Sequence, residues 1–308
     1  MNSTKISRRA LGRIAGSFAA AGLPVFGAAS PAAQDILKEI QDRLGGNWTA
    51  NGKDGLKAGT PQTEVKGVVT TAMATMDVLR QAAKTGSNLI ITHEPTFFGS
   101  RDGAPPPAAA AGGRGGGFGG GGVAADDPVM KGKREFIEKN NMVVFRLFEH
   151  WLARKDNDMV AGLADSLGWA SHGVSGDAGM YNVPSATLES TVALVKKKLN
   201  LRGGLRAIGD PKSKVQRVWL SPGVMAIDAF LKRFDSTDLL IVGEIREWEC
   251  AHYAFDMNTA GKKKGLVTIG RVASEDPGMR VCAAWLKTFV KGVPVQWISS
   301  GDAYWRAA

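Results

Sequence analysis

The feature that most constrains this chain is a segment that occurs twice, NLIITHE at residues 88–94 and DLLIVGE at residues 238–244. The two match in register, with Glu94 and Glu244 in the same place. Each is a short apolar run of the kind buried in a parallel sheet, and each closes a strand, helix, strand unit. In the first unit an apolar stretch at 65–71 leads to a helix from about Thr75, with Met76, Leu79 and Ala83 on one face and a stop at Gly86. In the second, Val218, Trp219 and Leu220 lead to a helix through Ile227, Phe230, Leu231 and Phe234. Two copies of such a unit predict an α/β protein with two related lobes. At 308 residues and 44% hydrophobic content, the chain is long enough to bury a core in both.

The remaining pattern fits the same class. Ile36, Leu37, Ile40 and Leu44 share a helical face closed by Gly45 and Gly46, and a helix at 127–140 precedes an apolar strand at 142–147. A further helix runs through Met159, Leu163 and Leu167 to Gly168. The N-terminal lobe is expected at 34–175 and the C-terminal lobe at 176–308. Residues 104–124 interrupt the first lobe with prolines, alanines and a glycine tract. Such a composition cannot offset its ordering entropy, so a disordered loop is expected. No phosphate-loop pattern encloses it.

Before residue 34, SRRALGR at 7–13 leads into an Ala/Gly-rich apolar run at 14–29, which resembles a bacterial twin-arginine export signal. The run is shorter than the roughly 20 apolar residues of a membrane span, and Pro24 interrupts it. The expectation is a periplasmic protein with no membrane association once a signal at 1–33 is removed. Lys5, Arg8, Arg9 and Arg13 supply four of the net +10 charges, which leaves about +6 for the rest. The basic runs at 196–198 and 262–264 lack interleaved aromatics and read as solvated faces, so no nucleic-acid partner is expected. Cys250 and Cys282 are too few for a disulfide framework or a zinc ribbon, and two buried thiols are expected.

Only four histidines are present. His93 lies beside Glu94 at a strand end, and His150 follows Glu149 after the strand at 142–147, whereas His172 and His252 read as structural or surface residues. Imidazole and carboxylate together suit zinc, iron, manganese or nickel. A single His–Glu pair is more often a satisfied histidine than a ligand. Two such pairs after apolar strands favour a shared site, because strand ends are where α/β folds place ligands.

The stretch GVVTTAMATMDVLRQAAKTGSNLIITHEPTFF, preceded by DGLKAG at 54–59, resembles the NGG-one-interacting-factor-three-like family of dinuclear-metal proteins, also described as type-two GTP cyclohydrolase-like. The likeness continues through VGEIREWE at 242–249 and IGRVASEDPGM at 269–279 to VPVQWISSGDAYW at 293–305. It implies two interlinked α/β lobes with mixed sheets, a homo-hexameric ring, and one or two divalent metal ions in the cleft between the lobes.

The family's Thr-His-Glu-Pro motif falls on Thr92–Pro95, which implies His93 and Glu94 as metal ligands. Its His-Asp-His-Trp motif falls on Phe148–Trp151, which implies Glu149 and His150, with Phe148 replacing one imidazole and Asp156 and Asp158 as looser candidates. Its Gly-His-x-x-Ser/Thr-Glu motif falls on residues 270–275, which retains Glu275 but puts Arg271 where the family has histidine. A guanidinium has no lone pair for a metal, yet it suits a substrate phosphate or carboxylate.

The expected activity is metal-dependent hydrolysis of a small anionic or cyclic substrate. Glu94 or Glu244 would be the general base, and Arg271 would orient the anion. The alternative is a non-catalytic exported metal-binding or assembly protein with a degenerate site.

Overall fold

A computed structural model describes residues 30–48, 52–99, 102, 123–124, 126–203 and 205–305. The expected signal and the insert at 104–124 lie outside these, apart from residues 30–33 and 123–124. The fold is α/β with two mixed sheets, as the repeated segment requires.

The first sheet is built on β2 (Val68–Thr71), β3 (Leu89–Thr92) and β4 (Val143–Arg146), three parallel strands whose residues are all buried. Between β2 and β3 runs α2 (Met76–Lys84), whose N-cap Thr75 accepts a hydrogen bond from the Val78 amide. Its buried face is Val78, Leu79 and Ala82, which keeps Leu79 of the expected stripe and replaces Met76 and Ala83 with Val78 and Ala82. Between β3 and β4 runs α3 (Pro128–Lys139), capped by Asp127. β1 (Gly55–Ala58) pairs antiparallel with β4 at one edge.

The second sheet repeats this plan. β8 (Lys214–Val224), β9 (Leu239–Glu244) and β10 (Gly265–Thr268) are parallel, joined by α7 (Ile227–Phe234) and α8 (His252–Thr259). Leu89 pairs with Val68 and Val143, and Leu239 with Val218 and Gly265, so NLIITHE and DLLIVGE are the middle strands of equivalent triplets. The edges are β7 (Arg206–Ile208) beside β10 and β6 (Asp177–Thr187) with β5 (Gly173–Val174) beside β8, all antiparallel.

Two elements join the lobes. β11 (Val295–Trp297) returns from the C-terminal half to pair in parallel with β2. The 17-residue helix α9 (Arg271–Lys287) packs on β2 and β11 of one sheet and on β8 and β9 of the other. Thr70 Oγ1 donates to Met279 O at 2.7 Å, and the Gly223 amide donates to Ser274 Oγ at 2.9 Å, so α9 is bonded to both sheets. Its inner flank is approached closely by α5 (Asp158–Leu167), where a Cβ on Gly162 would lie 2.6 Å from Pro277 O.

Remaining expectations are met locally. α1 (Ala33–Leu44) buries Ile36, Leu37 and Ile40. Lys196–Lys198 form the exposed last turn of α6 (Leu188–Lys198), where cations favour the helix dipole. Cys250 and Cys282 are free and buried, and burial pushes the Cys250 thiol up to about 11. Among the described residues, no helix is long and apolar enough to cross a membrane.

Candidate metal centre

The backbone ladder carries β3 past its last residue and fixes the two residues beyond it. The His93 amide donates to Thr71 O at 3.2 Å and the Glu94 amide to Ala72 O at 2.8 Å, while Thr92 Oγ1 donates to Glu94 O. His93 and Glu94 are thus held at the carboxyl end of a central strand, 1% and 7% exposed. From α9 the Glu275 side chain enters the same space, 1% exposed. His93, Glu94 and Glu275 each offer a ligand atom, and these atoms all lie within 4.8 Å of one another.

The polar atoms of this group fit a cation. His93 Nδ1 lies 3.1 Å from Leu147 O, which as the acceptor requires the proton on Nδ1 and leaves the Nε2 lone pair free. Burial, against the opposing pull of Glu94, lowers the imidazole pKa to about 4, so the ring is neutral near pH 7. Glu275 Oε2 is buried without a hydrogen-bond partner among the described residues. Burial first, and then the neighbouring Glu94 carboxylate, raise the Glu275 pKa well above its usual value. A neutral imidazole and a buried, unsatisfied carboxyl oxygen side by side are a donor set suited to a divalent cation.

Two arginines flank this set. Arg271, in the first turn of α9, donates from Nε and Nη2 to Glu94 Oε1 at 3.0 and 2.7 Å. Its Nε lies 3.4 Å from Glu275 Oε1 and its Nη1 3.7 Å from Glu244 Oε2. Burial works against this charge, but the three carboxylates outweigh it and the guanidinium pKa rises. Arg271 therefore links Glu94 and Glu244, the equivalent ends of the two repeated strands. Arg146, at the end of β4, donates from Nε to His93 O at 3.1 Å and places Nη2 4.0 Å from Glu94 Oε2. The Phe148 ring lies against His93, with centroids 4.6 Å apart.

Glu149 and His150 belong to a different cluster. They open the short helix α4 (Glu149–Leu152), whose first amides point at the buried carboxylate of Asp54. Asp54 accepts from the amides of Phe148, Glu149 and His150, and its Oδ2 lies 2.6 Å from His150 Nδ1. The His150 ring stacks on Trp48 with centroids 3.6 Å apart. Glu149 is exposed and accepts from the Lys53 amide at 3.2 Å. The structure does not bring either residue into the group formed by His93, Glu94 and Glu275. Asp158 instead pairs with Arg154 at 2.9 Å.

A cleft of about 1440 Å³ opens beside the group, at the carboxyl ends of β9 and β10 and the start of α9. Thr75, Glu244, Arg271, Asp276, Arg280 and Ser299 are among its lining residues, whereas His93, Glu94 and Glu275 are not. Arg271 and Glu244 therefore stand between the cleft and the buried group.

Residues 35–104 match the model of the Duf34/NIF3 (NGG1p interacting factor 3) family. The matched segment holds α1 to β3 and the His93–Glu94 pair. Similar solved structures cover far more of the chain. A Staphylococcus aureus hypothetical protein, SA1388, is 18% identical with a TM-score of 0.68, over 90% of this chain and 100% of that one. A Bacillus cereus protein related to NIF3 is 14% identical with a TM-score of 0.65, over 91% and 100%. Reduced HcgD from Methanocaldococcus jannaschii is 14% identical with a TM-score of 0.56, over 87% and 97%. The shared feature at these identities is the fold. No curated protein matches the chain.

Proposed function

We propose that the whole chain belongs to the Duf34/NIF3 family and is a metal-dependent hydrolase acting on a small anionic or cyclic substrate. The observation that carries this reading is the buried group of His93, Glu94 and Glu275, whose ligand atoms lie within 4.8 Å of one another and in which Glu275 Oε2 has no partner among the described residues. A divalent ion held there would supply Lewis acidity towards a carbonyl or phosphoryl oxygen and lower the pKa of water. Zinc, iron, manganese and nickel all suit such a mixed nitrogen and oxygen set.

The protein's own residues divide the remaining work by position. Arg271 reaches both the cleft and Glu94, so a substrate anion entering the cleft meets its guanidinium first. Glu244, 40% exposed at the end of β9, is open to the cleft and is the general base in this reading. Glu94, held by Arg271 and adjoining the cation, is the less available of the two expected bases. The export signal expected at residues 1–33 and the hexameric ring implied by the family resemblance are part of the same proposal.

A second reading is a metal-binding or assembly protein without turnover. It is favoured by the two hydrogen bonds that keep Arg271 on Glu94 Oε1. Screening the metal-loaded protein against phosphoesters and cyclic amides separates the two. Hydrolysis of one class is expected, with Glu244→Gln keeping its metal and losing about 10²–10⁴-fold in rate. Full metal loading with no hydrolysis of either class would favour the second reading.

A further inference from the structure

Resting on the metal-site reading above, we propose that the centre takes one divalent cation rather than two, because the Arg271 guanidinium is built in as the second positive charge. The resemblance to a dinuclear family implies two imidazoles that this chain lacks. The geometry shows what stands in the place of one of them.

Arg271 touches three carboxylates that arrive from three elements: Glu94 after β3, Glu244 at the end of β9 and Glu275 one turn along α9. The oxygens of Glu94 and Glu275 are divided between two sides. Glu94 Oε1 and Glu275 Oε1 face the guanidinium. Glu94 Oε2 is on the side of Arg146, and Glu275 Oε2 has no partner among the described residues. His93, Glu94 and Glu275 each bring one ligand atom within 4.8 Å of the others, which makes one set of donors. A second ion would need the oxygens that Arg271 already holds, and a guanidinium offers no lone pair in exchange.

Charge gives the same answer. With Glu94, Glu244 and Glu275 ionised to hold metal, Arg271 and Arg146 bring the group to −1, and one divalent cation takes it only to +1. A second would take it to +3 where Glu275 and His93 are each 1% exposed. Uncompensated charge at such burial is strongly disfavoured.

The repeat explains why the second lobe supplies no imidazole of its own. Gly243 occupies the position in β9 that His93 holds after β3. A Cβ at Gly243 would lie 2.4 Å from Gly223 O and 2.4 Å from Ser274 Oγ. The close approach of β8 and α9 that brings Glu275 into place leaves no room for a side chain there. The second lobe therefore contributes Glu244, and Arg271 lies across the join.

The test is metal stoichiometry with manganese(II) alone. The full chain, stripped and then saturated, is freed of excess ion and read by elemental analysis and electron paramagnetic resonance. One ion per chain with an uncoupled spectrum is expected for the wild type and for Arg271→Lys. Arg271→His releases Glu94 Oε1 and restores an imidazole, so a doubling to two ions per chain with an exchange-coupled spectrum is expected. Two ions per wild-type chain would overturn this inference and leave the metal-site reading intact, whereas none would overturn that reading and the inference with it. A folded Arg271→His variant that still binds one ion would overturn the role given to Arg271, and should that variant not fold, the wild-type count decides.

Discussion

Replacing His93 by alanine is expected to weaken divalent-metal binding by more than about a hundredfold, while His150→Ala leaves it unchanged. Removing a group that merely orients a ligand costs about 10–100-fold, and His93 is the only imidazole within the group it forms with Glu94 and Glu275. Its Nδ1 is committed to Leu147 O and its ring is packed by Phe148, so the ring is fixed and neutral, with its lone pair on Nε2, before any ion arrives. Alanine leaves two carboxylates, both of them shared with Arg271. His150 has its Nδ1 on Asp54 and its ring on Trp48. Its removal should lower stability without changing metal affinity. Titration calorimetry on both variants makes the comparison, and a collapse of affinity in His150→Ala with none in His93→Ala would reverse the assignment.

Arg271→Ala is expected to destabilise the metal-free protein by about 2–3 kcal/mol and to leave the metal-loaded protein close to wild type. Removing one partner of a buried ion pair costs about 3–5 kcal/mol. The lower figure applies because the Arg271 side chain is 30% exposed, although its partners Glu94 and Glu275 are only 9% and 2% exposed. Without the guanidinium, two buried carboxylates face each other with Arg146 as the nearest cation, and a divalent ion becomes the natural replacement. Its affinity should rise, since Glu94 and Glu275 have lost the counter-charge that Arg271 supplies. Urea unfolding with and without manganese(II) checks this. Equal destabilisation in both conditions would mean that Arg271 is a packing residue and not a counter-charge.

The sequence made the architecture readable because NLIITHE and DLLIVGE are buried on both faces, and continuous apolar runs of that kind belong to parallel strands between helices. Pairing confirms them as equivalent middle strands. The His93–Glu94 pair was visible because nothing about ending a strand calls for those two side chains. Glu149 and His150 look alike in sequence but form part of a helix start held by Asp54. That carboxylate lies 95 and 96 positions away along the chain, a separation no local pattern reveals.

Arg146 was missed for a related reason. It closes an apolar run, and the one signal it left was a charge where a buried strand should have none. Its two bonding directions, to His93 O and towards Glu94, exist only once β3 and β4 pair. The geometry around Gly243 was equally hidden, since the glycine's reason lies in α9 and β8.

The most direct measurement is an anomalous difference map, collected at the metal's absorption edge from crystals of the zinc-loaded protein. A metal centre at the end of β3 predicts one peak about 2.0–2.2 Å from His93 Nε2 and from a Glu275 oxygen. A map with no peak there, or with its peak on His150 beside Asp54, would contradict it.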